Sequence, residues 1–122
     1  MAYVDFFMVP LPRENEAEYK KMAVRFLEVM KDFGLLHYCE AQADDVPHGK
    51  VTDFYRAVAA TETETVVCAF AVWPDKKTRD HAWEQGMKDP RMTSTETDKN
   101  VFDGKRMVYG GFAPLLEYKL GS

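Results

Sequence analysis

The sequence predicts an α+β domain, an antiparallel sheet with two helices on one of its faces. Three observations predict it. β-rich and helix-periodic segments follow one another as strand, helix, three strands, helix, strand. The first and fourth of those strands, residues 3–9 and 66–73, are apolar almost throughout, as strands covered on both faces are. A chain of 122 residues at 46% hydrophobic content holds one core and is too short for two ordinary domains.

Residues 3–9 open the domain, and Pro10 and Pro12 end the first strand. Asp5 is its odd polar residue: either a strand-edge carboxylate in water or a carboxylate inside a pocket. Asn15 with Glu18 reads as a helix N-cap and its reciprocal glutamate. Beyond it Tyr19, Met22, Ala23, Phe26, Leu27, Met30 and Phe33 repeat at helical spacing, while Lys20, Lys21, Arg25, Glu28 and Lys31 take the other face. That stripe predicts a long core-facing helix, with Gly34 at its C′ position.

Residues 35–43 read as a second strand. Residues 44–50 form a loop punctuated by Pro47 and Gly49. Alternation over residues 51–60 predicts a third strand, and Glu62-Thr63-Glu64 an exposed turn. Residues 66–73 are the central strand. Asp75, after Pro74, N-caps a second helix with Thr78, Ala82, Trp83 and Met87 as its buried stripe. Asp89-Pro90 should end it, because the residue before a proline disfavours the α region. Residues 91–100, polar and Thr-rich, read as a mobile loop, and 106–112 as the last core strand. Trp73 and Trp83 read as core or interface residues.

This order matches a ferredoxin-like βαββαβ sandwich with an extra or extended hairpin, its helices gathered on one face of the sheet. The expected core of this single domain runs from about residue 3 to 114, with 115–122 as a tail. The other sheet face also needs covering, and a second copy of the chain is the simplest cover.

Composition narrows the function classes. A net charge of −4 argues against a nucleic-acid partner, and Lys and Arg alternate with acids too often to form a basic stripe. No apolar run approaches the ~20 residues of a membrane span. The start, Met1-Ala2-Tyr3-Val4-Asp5, has no basic segment, and Asp5 interrupts the apolar run. Cys39 and Cys68 read as buried thiols rather than a disulfide. A cytoplasmic protein is expected.

Two charged stretches stand out. Asp44, Asp45, His48 and Asp53 carry metal-ligand and acid–base chemistry, but their spacing matches no metal signature and no metal is assigned. Asp103, Lys105 and Arg106 follow in the second. There Arg106, with Arg56, could hold an anionic ligand, since guanidinium forks match carboxylates and phosphates. The plainer alternative pairs these cations with nearby acids. Gly110-Gly111 is no phosphate loop, because neither a Lys-Ser/Thr nor a helix follows it; it fits a bulge or a close backbone approach.

Several motifs together resemble one family. They are Tyr3-Val4-Asp5, Asp44-Asp45-Val46-Pro47 with Gly49-Lys50, Thr52-Asp53-Phe54, Asp89-Pro90-Arg91-Met92, and Phe102-Asp103-Gly104-Lys105-Arg106-Met107 followed by Tyr109-Gly110-Gly111-Phe112. The set resembles the YbaA-like bacterial family, which carries a domain of unknown function in the dimeric α+β-barrel superfamily. Phe6 departs from it where glycine is expected, and its bulk would narrow any space that glycine leaves open. The resemblance implies a homodimer of ferredoxin-like subunits and names no reaction or cofactor. The superfamily includes haem-degrading and quinol monooxygenases, dehalogenating enzymes and ligand sensors, so its bearing on function is analogy.

Two functions follow as expectations. In the first, a small-molecule pocket between sheet and helices is lined by apolar strand residues with Asp5, Asp53, Arg56 and Arg106; Asp45, His48 and Asp103 are further candidate ligand contacts. An oxygenase-like reaction without a built-in metal is the nearest analogy. In the second, the charged motifs serve the fold and the dimer, without catalysis. A ligand-sized cavity favours the first, and charges tied up in pairs favour the second.

Overall fold

A computed structural model of the chain describes residues 1–92 and 100–121. Its sheet has four strands: β1 (Tyr3–Pro12), β2 (His37–Gln42), β3 (Glu64–Trp73) and β4 (Val108–Phe112), in the spatial order β2-β3-β1-β4. Every pairing is antiparallel. Helix α1 (Glu16–Met30) links β1 to β2 and α3 (Lys76–Gly86) links β3 to β4, each crossing over one intervening strand. This is the ferredoxin-like split βαβ arrangement. β1 and β3 pair over their whole length, from Tyr3 opposite Trp73 to Pro12 opposite Glu64.

Alternation along the strands divides the sheet into two faces. Asp5, Phe7, Val9 and Leu11 of β1 share the helix-side face with their partners Ala71, Ala69, Val67 and Thr65 of β3, and all eight are buried. Met30 and Ala82 close over this side, and Trp73 anchors its end. The opposite face carries Val4, Phe6, Met8, Phe70, Val72, Val108 and Phe112, and neither α1 nor α3 lies on it. Phe6 lies there, 48% exposed, its ring packed edge-on against Phe112 at 5.3 Å. Its bulk therefore points away from the helix side. Cys39 and Cys68 are both half-buried free thiols.

The expected third strand is absent. Residues 51–60 form a loop and one short helix, α2 (Phe54–Ala57). Asp53 overrides the alternation: its carboxylate caps the helix by accepting from the Arg56 N–H at 2.8 Å, and Ala59 then turns the chain with a φ of 50°. Glu64 is likewise no exposed turn residue; it is 7% exposed and begins β3. Asn15 precedes α1 but makes no side-chain cap. A 3₁₀ turn, Arg13–Asn15, leads into the helix instead, and the Asn15 amide reaches Val101 O at 2.8 Å.

Asp75 caps α3 as expected, accepting from the Thr78 N–H at 2.7 Å. The helix ends at Gly86, before Asp89-Pro90, and a 3₁₀ turn spans Pro90–Met92. Arg106 sits in a further 3₁₀ turn, Gly104–Arg106, so the last strand begins at Val108. Gly34 holds the left-handed φ of 103° that ends the α1 region. The Thr-rich stretch lies mostly outside the described residues, which stop at 92 and resume at 100.

Candidate functional site

The helix side of the sheet does not fill completely. A pocket of about 280 Å³ opens between the sheet, α1 and the turns around it. Phe7 and Val9 of β1 and Tyr38 and Glu40 of β2 form its floor. Tyr19, Met22, Ala23, Arg25 and Phe26 of α1 form one wall. Trp83, Met87, Met92, Phe102 and Met107 complete it. The same periodic α1 stripe that reads as core thus lines a pocket along part of its length. Phe26 packs at 5.2 Å from Tyr38 and 5.5 Å from Trp83 between ring centroids, so aromatic rings and methionines share the lining.

One polar group sits on this floor. Tyr19 donates its hydroxyl to Glu40 Oε1 at 2.7 Å, and Tyr38 donates to Glu40 Oε2. Burial, and then the adjacent carboxylate, push both phenols well above their ordinary pKa. Both tyrosines therefore stay neutral, and their protons stay committed to Glu40. Glu40 was not among the residues singled out from the sequence. The one available signal was weak: Tyr38 and Glu40 are two apart in a strand and so share a face.

The seven sequence-derived candidates all lie outside the lining of this pocket. Asp5 is 2% exposed, and its carboxylate is saturated by three side chains. Trp73 Nε1 and Trp83 Nε1 each donate to Oδ2 at 3.0 Å, and Arg79 forms a fork with Nη2 at 2.7 Å from Oδ1. Asp5 reaches the pocket only through Trp83. Arg79 also sits over the Tyr3 ring at 5.2 Å. The pairing of Asp5 with Gly111 explains that glycine, since a Cβ there would stand 2.6 Å from the Tyr3 hydroxyl and 2.7 Å from Arg79 Nη2.

His48, Asp53 and Arg56 do come together, in the loop before and within α2. Asp53 accepts from the N–H groups of Arg56 and Gly49, which hold its carboxyl below the ordinary value, the Arg56 bond foremost. His48 Nδ1 lies 3.8 Å from Asp53 Oδ2, and its ring stacks on Tyr55 at 4.5 Å. Asp45 is exposed on the same loop. A hollow of about 220 Å³ beside Asp44, Val46 and Phe54 opens on the other side, against Val66 and Cys68.

Asp103 and Arg106 form the third group. Arg106 donates from Nη1 and Nη2 to the two carboxylate oxygens of Glu64, both at 2.8 Å. The same guanidinium reaches Ala59 O at 2.8 Å and Asp103 Oδ2 at 2.9 Å. Arg106 is thus engaged on three sides by its own chain. Arg91 behaves similarly, joining Asp89 to Asp32 and the Glu28 carbonyl, which ties the turn beyond α3 to α1 and brings Met92 to the pocket.

Comparison with known proteins agrees with this architecture. The chain is 44% identical over 117 residues to the uncharacterized protein YbaA of Escherichia coli strain K12, covering 96% of this chain and 99% of that one. YbaA of Shigella flexneri matches to the same extent. Among solved structures, a dimeric ferredoxin-like protein from an uncultured marine organism superposes with a TM-score of 0.62 at 13% identity, covering 98% of this chain and 99% of that one. A variant of SnoaB, a cofactor-independent oxygenase from Streptomyces nogalater, gives 0.56 at 15% identity, with 99% and 98% covered. At such identities these likenesses establish the fold. Residues 2–104 match the family described as "Protein of unknown function (DUF1428)". With that match and the YbaA identity, the chain belongs to the DUF1428 family.

Proposed function

We propose that the protein binds a small, mostly apolar molecule in the pocket between β1, β2 and α1. The observation that carries this reading is a ligand-sized hollow with aromatic and methionine walls and a single carboxylate on its floor. Binding sites commonly combine apolar walls with a few converging polar groups. Its catalytic extension is an oxygenase-like reaction of the bound molecule, supported by the fold shared with SnoaB. A panel of aromatic compounds, screened by thermal shift and calorimetry, should yield stabilising ligands. Ala23→Phe, which fills the pocket from α1, should abolish their binding while leaving the far-UV spectrum unchanged. Unchanged affinity in that variant would place the ligands elsewhere.

The charged motifs support a complementary structural reading. Asp5, Asp53, Asp103 and Arg106 are each held by partners within the chain, and we assign them to the framework around the pocket. Domain limits of about 3–114 fit that framework.

A homodimer completes the proposal. The sheet face away from α1 and α3 presents Phe6 and Phe112, the latter 56% exposed, beside Val4 and Met8. The marine neighbour described as dimeric shares this fold. Light scattering should give about twice the 14.0 kDa chain mass, and Phe6→Asp should shift the protein to monomer by placing a charge in a buried interface. A wild-type monomer at micromolar concentration would refute the dimer. The free thiols of Cys39 and Cys68 fit a reducing, cytoplasmic setting.

A further inference from the structure

We propose that the pocket selects a planar, ring-bearing molecule carrying a hydroxyl or amino hydrogen-bond donor, which it delivers to Glu40. The inference rests on the pocket reading above and specifies the class of ligand. Both tyrosine hydroxyl protons already point at Glu40, one to each carboxylate oxygen. A carboxylate offers about four acceptor positions, so both oxygens retain capacity for a further donor. Tyr19 and Tyr38, having given their protons to Glu40, present only oxygen lone pairs to a ligand. The polar floor is therefore acceptor-only, and a ligand group without a proton would meet lone pairs facing lone pairs.

The walls select the body. Phe26 links Trp83 and Tyr38, its ring centroid 5.5 Å from the one and 5.2 Å from the other, and Met22 and Met107 line the same space. Ring edges and thioether sulfurs pack well against a flat aromatic surface. Arg25 also lines the pocket and has an interaction of its own, so the alternative of an anionic ligand is built into the test.

Four probes decide the matter by calorimetry: 2-naphthol, 2-methoxynaphthalene, naphthalene and 2-naphthoate. A hydrogen bond to a charged acceptor stabilises by roughly 1.5–3 kcal/mol, which converts to a preference of about tenfold or more. The expected result is that 2-naphthol binds about tenfold more tightly than 2-methoxynaphthalene, and that Glu40→Gln collapses this ratio while leaving naphthalene binding intact. Should that variant fail to fold, the wild-type ratio alone decides. Equal affinities for 2-naphthol and 2-methoxynaphthalene, or tightest binding of 2-naphthoate, would overturn the donor preference and leave the pocket standing. Binding of none of the four would overturn both readings.

Discussion

Asp5→Ala is expected to lower the unfolding temperature by roughly 10–20 °C, corresponding to about 3–5 kcal/mol. The carboxylate is 2% exposed and accepts from two indole N–H groups and a guanidinium fork. Removing one partner of a buried charged network costs far more than the network's net contribution, because the other members are stranded. Arg79 can fall back on Asp80, which it already contacts at 2.9 Å. Trp73 has no such recourse, since it is wholly buried and its indole N–H would lose its acceptor. Asp5→Asn keeps an acceptor oxygen and should lose about half as much. Thermal denaturation followed by circular dichroism measures both. A loss under 3 °C for the alanine variant would mean that the helix-side core does not depend on this carboxylate. The same substitution should loosen Trp83 and so weaken pocket ligands, although Asp5 never touches them.

The second large effect concerns acid. The Arg106 guanidinium, and then the Thr61 N–H, hold the Glu64 carboxyl at about 2, against an ordinary value of 4.5. In the unfolded chain Glu64 takes up its proton below about 4.5, whereas the folded protein resists it down to about 2. The stabilisation is therefore complete above 4.5, is lost as pH falls toward 2, and does not change further below. Its size at neutral pH is on the order of 2–3 kcal/mol, after allowing for the partial exposure of the pair. Arg106→Met removes it and should flatten this part of the acid profile. Urea denaturation at pH 6, 4 and 3 measures the gap between wild type and variant. The gap should be widest at pH 6 and narrow steadily. A gap of constant size would show that Arg106 acts through packing or through its bond to the Ala59 carbonyl rather than through the charges on Glu64 and Asp103.

These two carboxylates lie on neighbouring strands yet perform one kind of task. Asp5 joins β1 to α3, and Glu64 joins β3 to the turn before β4. Each ties a strand to a segment distant from it in sequence. Neither lines the pocket, where Glu40 is the carboxylate among the described residues.

Elements whose signals are local were legible in the chain. The α1 stripe, the apolar β1 and β3, the Asp75 cap and the glycine turn at Gly34 each follow from residues within a few positions of one another. Local signals also competed: alternation over 51–60 favoured a strand, and a single capping aspartate, Asp53, won with a short helix. Tertiary structure alone decided what the charges do. The side-chain partners of Asp5 lie 68–78 positions away and Arg106, the cation that pairs with Glu64, 42, so local sequence does not distinguish a buried, paired carboxylate from a solvated one. Only the sheet register and the docking of α1 place Tyr19 beside Tyr38 and Glu40, since residue 19 reaches residue 40 through folding and not through spacing. Side-chain type and local periodicity are written into the chain. Burial, and with it the energy and the chemistry of a charge, is a property of what the rest of the molecule brings to it.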